Sequence, residues 1–232
     1  TISELRRTPA WDMGVLLNST FCNNDKAEAG YNLMIGNGNG SKPENNKYKW
    51  FYVDVYAKLL HKKLILDLYA DYNRIDAVDG HTRNMLKLLV AYSTTKFTIG
   101  AEGFMNTLRK DNHALKTDST TVLLNTVASD ISLYARGRLY KDKVGFFVRY
   151  DMFDPSHKLK NSSYLRYNPV TTNYDPNTKE TLATAGIDYT PIDKIHIMPN
   201  IWYTGFQHAG PGNLADGHDL VYRLSIYYVI GK

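Results

Sequence analysis

No run of about 18 apolar residues occurs in this 232-residue chain, which excludes a membrane-spanning helix. It leaves a transmembrane barrel open, because barrel strands alternate faces and keep the mean hydropathy low, here −0.40. Cysteine occurs once, at Cys22, so neither a disulfide framework nor a cysteine-based metal site is available. The opening TISELRRTPAW lacks the apolar segment of a signal peptide. No basic block stands out in a chain with 28 Lys+Arg against 23 Asp+Glu, so nucleic acid is not an expected partner. The seven histidines (His61, His81, His113, His157, His196, His208 and His218) include no two at metal-ligand spacing on one element. No G-x-S-x-G elbow appears, and GNGNG is a flexible turn run rather than a dinucleotide fingerprint. The expectation is a protein that is not an enzyme and takes no cofactor or metal.

What the chain has is alternation. In YKWFYVDVYAKLLHKKLILDLYADYN, Phe51, Val53, Val55, Ala57 and Leu59 interleave with Tyr52, Asp54, Tyr56 and Lys58. After His61, Lys62 and Lys63, the residues Leu64, Leu66, Leu68, Ala70 and Tyr72 interleave with Ile65, Asp67, Tyr69, Asp71 and Asn73. Period two is the signature of a strand with two different faces. Eleven such segments are expected, near 10–22, 29–36, 49–60, 64–74, 84–93, 97–107, 131–140, 144–153, 181–190, 195–205 and 219–230. Pro199 falls inside the tenth and, lacking an amide donor, calls for a bulge or a wide pair. Thr121–Asp130 reads as a short helical turn or an extra piece of strand within a loop.

The connections alternate short and long. Short ones are Asn23–Glu28, His61–Lys63, Thr94–Lys96, Lys141–Lys143 and Pro191–Lys194. Long ones are Asn37–Tyr48, Ile75–Arg83, Leu108–Asp130, Asp154–Glu180 and Phe206–His218. Outer-membrane barrels place short turns at the periplasmic end and long loops outside. Eighteen tyrosines, against 8 Phe and 3 Trp, suit surfaces that are apolar on one side and wet on the other, in a tyrosine-rich β-sandwich as in the aromatic girdle of a barrel. The expected fold is therefore all-β, a transmembrane antiparallel up-and-down β-barrel forming one domain over 1–232. The first and last of eleven strands run the same way, so closure requires an odd number of further strands. One makes twelve and five make sixteen, with Thr1–Pro9 then in an external loop.

GYNLMIGNGNGSKPENNKYK (Gly30–Lys49) resembles a segment of the porins of Bacteroidetes outer membranes, relatives of the phosphate-selective porins. LDLYADYN (Leu66–Asn73) and IHIMPNIWY (Ile195–Tyr203) resemble later strands of the same family. The resemblance spans most of this chain and corresponds to the C-terminal part of a complete member, commonly read as sixteen-stranded. It implies a barrel of the Gram-negative outer membrane. Its partners would be outer-membrane lipid and lipopolysaccharide, small hydrophilic solutes or anions, and a homo-oligomer or larger outer-membrane complex. The terminal YYVIGK departs from the aromatic last residue that such barrels often carry.

Alternation assigns the pore-lining candidates. Asp54, Lys58, Asp67, Asp71 and Glu102 fall on the expected third, fourth and sixth strands; Arg136, Arg138, Arg149, Asp151 and Arg223 on the seventh, eighth and eleventh. Acids on one side and arginines on the other would set a field across a lumen. The competing reading is local pairing, such as Arg149 with Asp151 or Asp188. The expected function is passive diffusion of small hydrophilic solutes or ions with an anion preference. The alternative is a structural or partner-binding barrel without an open pore.

Overall fold

The computed structural model describes residues 12–38, 40, 43, 46–74, 80–140, 143–156, 177–192, 194–208 and 215–229, and the backbone of 164–169. Within them the chain is all-β. Twelve strands form: β1 (Gly14–Asn23), β2 (Glu28–Gly36), β3 (Trp50–Leu59), β4 (Leu64–Arg74), β5 (Thr82–Ser93), β6 (Phe97–Lys116), β7 (Thr121–Tyr140), β8 (Val144–Asp154), β9 (Tyr164–Pro169), β10 (Thr178–Tyr189), β11 (Ile195–His208) and β12 (Gly217–Tyr228). Eleven of them lie in one antiparallel up-and-down sheet in the order β1 to β8, then β10, β11 and β12. β9 leaves this path and pairs with β6. Among the described residues, β1 and β12 each have a neighbour on one side only.

All eleven segments expected from alternation are strands of that sheet. One connection is corrected. The Leu108–Asp130 segment is not a long loop, because β6 and β7 continue as a hairpin of 20-residue strands. Of the two readings of Thr121–Asp130 the strand holds, and it is the first half of β7. The extension runs seven residues beyond the last β5 pair and eight beyond the last β8 pair, roughly 25 Å at strand rise. Beyond the end of β5, which pairs with β6 up to Arg109, β9 takes the neighbouring place along Asn112–Lys116. A bulge between Leu108 and Asn112, with Lys110 at φ 54°, marks the changeover. At the hairpin tip the Thr120 hydroxyl and amide both donate to Asp118, at 2.5 and 2.9 Å, and hold its carboxyl below the ordinary value. Pro199 needs no bulge. It stands opposite Leu224, and the ladder to β10 resumes on either side of it, at Asn200 and Ile197, in unchanged register. Thr1–Pro9 lies outside the described residues.

The short connections share one end of the sheet and are tied together there. His61 N donates to Lys26 O, Ser93 N to Lys63 O, Arg138 N to Lys96 O, Thr190 N to Lys143 O and Val229 N to Lys194 O, all at 2.7–2.9 Å. Each turn thus satisfies a backbone group of the next hairpin. Asn24 accepts from the amides of Lys26 and Ala27, and Thr94 from those of Lys96 and Phe97. Asx and hydroxyl turns of this kind close tight hairpins.

Cross-strand register fixes two faces. Burial marks one face as the inner, concave one: Met85, Phe104, Ala128, Phe153 and Leu182 form a buried cluster on it, with Tyr69 and Trp202 packed against them. Glycine serves this packing at Gly186. An added Cβ there would meet the Phe147 ring at 2.4 Å and the Asn200 Cβ at 2.7 Å. Gly103, by contrast, has only the Asp130 carbonyl at 3.7 Å. Gly186→Ala is expected to destabilise by about 1–3 kcal/mol, the cost of overpacking, and Gly103→Ala to be neutral or better. Urea unfolding followed by tryptophan emission compares them; equal midpoints would show that the Phe147 ring yields freely.

Candidate functional site: the charged concave face

Alternation delivers every second side chain of each strand to one face, and register then lines up the rows. One row runs Tyr56, Asp67, Leu89, Glu102, Ser132, Asp151, Leu182, Thr204, Asp219. The next runs Asn32, Asp54, Tyr69, Lys87, Phe104, Asp130, Phe153, Glu180, Phe206. All ten pore-lining candidates stand on this concave side.

Most of them are locally engaged. Asp54 accepts from Asn32 Nδ2 at 2.6 Å. Lys58 bridges Glu28 at 2.7 Å, and Lys62 adds a contact to the same carboxylate at 3.3 Å. Asp67 is a diagonal neighbour of Asp54 across β3 and β4. Asp71 is buried and accepts from the Tyr69 hydroxyl at 2.7 Å and the Met85 amide at 3.0 Å. Glu102 pairs with Lys87 at 3.5 Å. Arg149 Nε reaches both oxygens of Asp151, at 2.9 and 3.1 Å, and the Ser132 hydroxyl donates to the same carboxylate. Arg223 lies over the Trp202 ring at 4.2 Å, while Trp202 Nε1 donates to Asn200 at 2.8 Å.

Arg136 and Arg138 line a cavity of about 520 Å³ at the short-turn end, with Lys96, Asp188 and the hydrogen-bonded hydroxyls of Ser93 and Thr98. Asp188 there holds His196 Nδ1 at 2.8 Å.

The division of charge expected from the sequence, acids on one side and arginines on the other, is not what these strands display. Asp130 on β7, Asp151 on β8, Glu180 on β10 and Asp219 on β12 put carboxylates among the arginine-bearing strands. Of the two suggested partners of Arg149, Asp151 is the one engaged. Sequence reasoning passed over Asp130 and Glu180 because both sat at the ends of expected loops. The signal for Asp130 was present, since Thr126, Ala128, Asp130 and Ser132 continue the concave parity of β7.

The convex face is the chemical opposite. Val15, Leu33, Val53, Leu68, Leu88, Ile99, Leu133, Val148, Ile187, Tyr203 and Leu224 are each between 38% and 78% exposed. Arg74, Arg109, Asp154 and Lys179 are the charged side chains at convex positions of the described strands, and all stand at the loop-ward rim. Lys179 and Asp154 pair there at 3.2 Å. At the short-turn end the same face carries Tyr92, Phe97, Tyr140, Tyr189 and Tyr228, a row of rings bordering the apolar band. Among the described residues no group of three or more His, Cys, Asp or Glu is placed to hold a metal ion, and no helix is long and apolar enough to cross a membrane.

Fold and faces together define an all-β chain whose up-and-down sheet has an apolar convex side and a charged concave side. Family models, curated proteins and solved structures contain no match to it.

Proposed function

We propose that this chain is part of an outer-membrane β-barrel porin of a Gram-negative bacterium, serving passive diffusion of small hydrophilic solutes or ions. The observation that carries this reading is the exposed, charge-free apolar band across eleven consecutive antiparallel strands, backed by a charged face. Exposed apolar patches on soluble monomers are far smaller and mark contact with something apolar. Strands of 9–12 residues are what a tilted barrel strand needs to cross about 30 Å of hydrocarbon. In that medium unpaired edges are untenable, so β1 and β12 meet further strands. Ten antiparallel steps make β1 and β12 parallel to each other, and closure takes an odd number, five in a sixteen-stranded barrel. The row of aromatic rings at the short-turn end then lies at the periplasmic interface, and lipid and lipopolysaccharide are the convex partners.

A second reading, a structural or partner-binding barrel with a filled lumen, draws on the buried concave cluster of Met85, Phe104, Ala128, Phe153 and Leu182. The long β6–β7 hairpin would then be its docking element. Planar-bilayer recording on the full-length protein separates the two. Porin function predicts discrete, ohmic conductance steps from detergent-purified, heat-modifiable material. Inserted protein that never conducts leaves the structural barrel, and protein that purifies without detergent removes the membrane from both.

A further inference from the structure

Charge on the concave face varies along the strands rather than across them. Count residues from the short-turn end of each strand. Asp71, Asp130, Asp151, Glu180 and Asp219 all stand seven to ten residues from that end. Over the same span Arg83 is the one concave Lys or Arg among the described residues. Within the first six residues the balance is +1. Lys58, Lys87, Arg136, Arg138, Arg149 and Arg223 stand against Glu28, Asp54, Asp67, Glu102 and Asp188. The loop-ward third therefore carries a formal charge of −4 from its six groups, and the short-turn half +1 from its eleven.

One member of the acidic set lacks what its burial demands. Asp130 is 2% exposed, and neither carboxylate oxygen has a hydrogen-bond partner. A buried carboxylate in that condition takes up a proton or a cation. Two concave cations are committed elsewhere, Arg149 to Asp151 and Lys87 to Glu102. Asn106 Oδ1 and Thr126 Oγ1, on the same face of the β6–β7 hairpin, are likewise buried acceptors without partners. Asn106 is the diagonal neighbour of both Asp130 and Thr126, about 7 Å away across the ladder. The hairpin thus gathers unfilled oxygen acceptors around one negative charge.

We propose that the loop-ward third of the concave face is a cation-collecting vestibule with Asp130 at its floor, so that the barrel favours monovalent cations over anions and rectifies. This rests on the porin reading and reverses the anion preference expected from the arginines. Low-dielectric walls lined by one sign of charge concentrate the opposite ion, and a charge present at one mouth only makes current depend on its direction.

The test is reversal potential and current–voltage asymmetry of the full-length protein in a planar bilayer under a potassium chloride gradient. Wild type is expected to be cation-selective and rectifying. Asp130→Asn should lower the cation-to-anion permeability ratio by about twofold or more, and Asp219→Asn, at an exposed position, should act in the same direction. Asp118→Asn at the hairpin tip should change neither quantity. The effect should fade near 1 M salt, where the Debye length is about 3 Å. A conducting wild type that prefers anions, or Asp130→Asn and Asp219→Asn that both conduct with unchanged selectivity and symmetry, would overturn the vestibule and leave the porin standing. Inserted protein without conductance removes both.

Discussion

On the proposed membrane reading, Val55→Arg and Leu88→Arg are each expected to destabilise the protein by about 2–4 kcal/mol, the cost of a cationic side chain near a bilayer midplane on a lipid-facing strand. Both positions are mid-strand. Val55 is 44% and Leu88 50% exposed, and their cross-strand partners include Tyr31, Leu68 and Gly103. None of these offers a charge. In a water-soluble sheet the same substitutions at half-exposed sites would fall within about 0.5 kcal/mol, so the size of the effect reports the solvent of the convex face. Asp54→Asn supplies the contrast from one residue away. It keeps an acceptor for Asn32 and removes a carboxylate beside Asp67, and a change below about 1 kcal/mol is expected. Folding into lipid vesicles, read by heat-modifiable mobility across a urea series, measures all three. If the arginine variants fold as well as Asp54→Asn, the convex face meets water and the membrane reading falls.

The two faces were legible because period-two alternation is a local property, and β3 and β4 display it without interruption. The β6–β7 extension was hidden for the opposite reason. Asn112, His113 and Thr126 have loop-like polarity, and what makes them strand is the partner each finds across the hairpin, with β9 adding a second for Asn112 and His113. Such pairing depends on register, which composition does not encode. The concave contacts divide in the same way. Arg149 and Asp151 are two residues apart on one strand, so their meeting could be anticipated. Lys87 with Glu102 needs the β5–β6 register, and Lys58 with Glu28 the β2–β3 register. A one-residue slip would have sent either pair to opposite faces. The strand-by-strand charge division was drawn from segments ending one residue short of Asp130 and of Glu180, which hid both carboxylates. Their inclusion turns a field across the face into one along it.

Arg149→Leu is the substitution expected to cost most on the concave face. Asp151 is 1% exposed, whereas the Arg149 side chain is 35% exposed. Removing the guanidinium strands a buried carboxylate with the Ser132 hydroxyl as its remaining described donor, and breaking a buried pair from one side costs about 3–5 kcal/mol. Partial exposure of the arginine lowers the expectation to the bottom of that range, about 3 kcal/mol. Asp151→Leu leaves a guanidinium that water already reaches, so about 1 kcal/mol is expected. The asymmetry is informative, because an exposed ion pair would give two small and equal values. Arg149→Leu combined with Asp151→Leu should recover most of the loss, since apolar replacements at both ends leave no buried charge behind. The cycle should therefore show coupling of about 1–3 kcal/mol. Urea unfolding in micelles at one pH and one ionic strength supplies the four stabilities. Single-substitution costs that are equal and below about 0.5 kcal/mol would mean that bulk water bathes Asp151. The pair would then contribute no more than an exposed ion pair does, and the burial of Asp151 would not hold in solution.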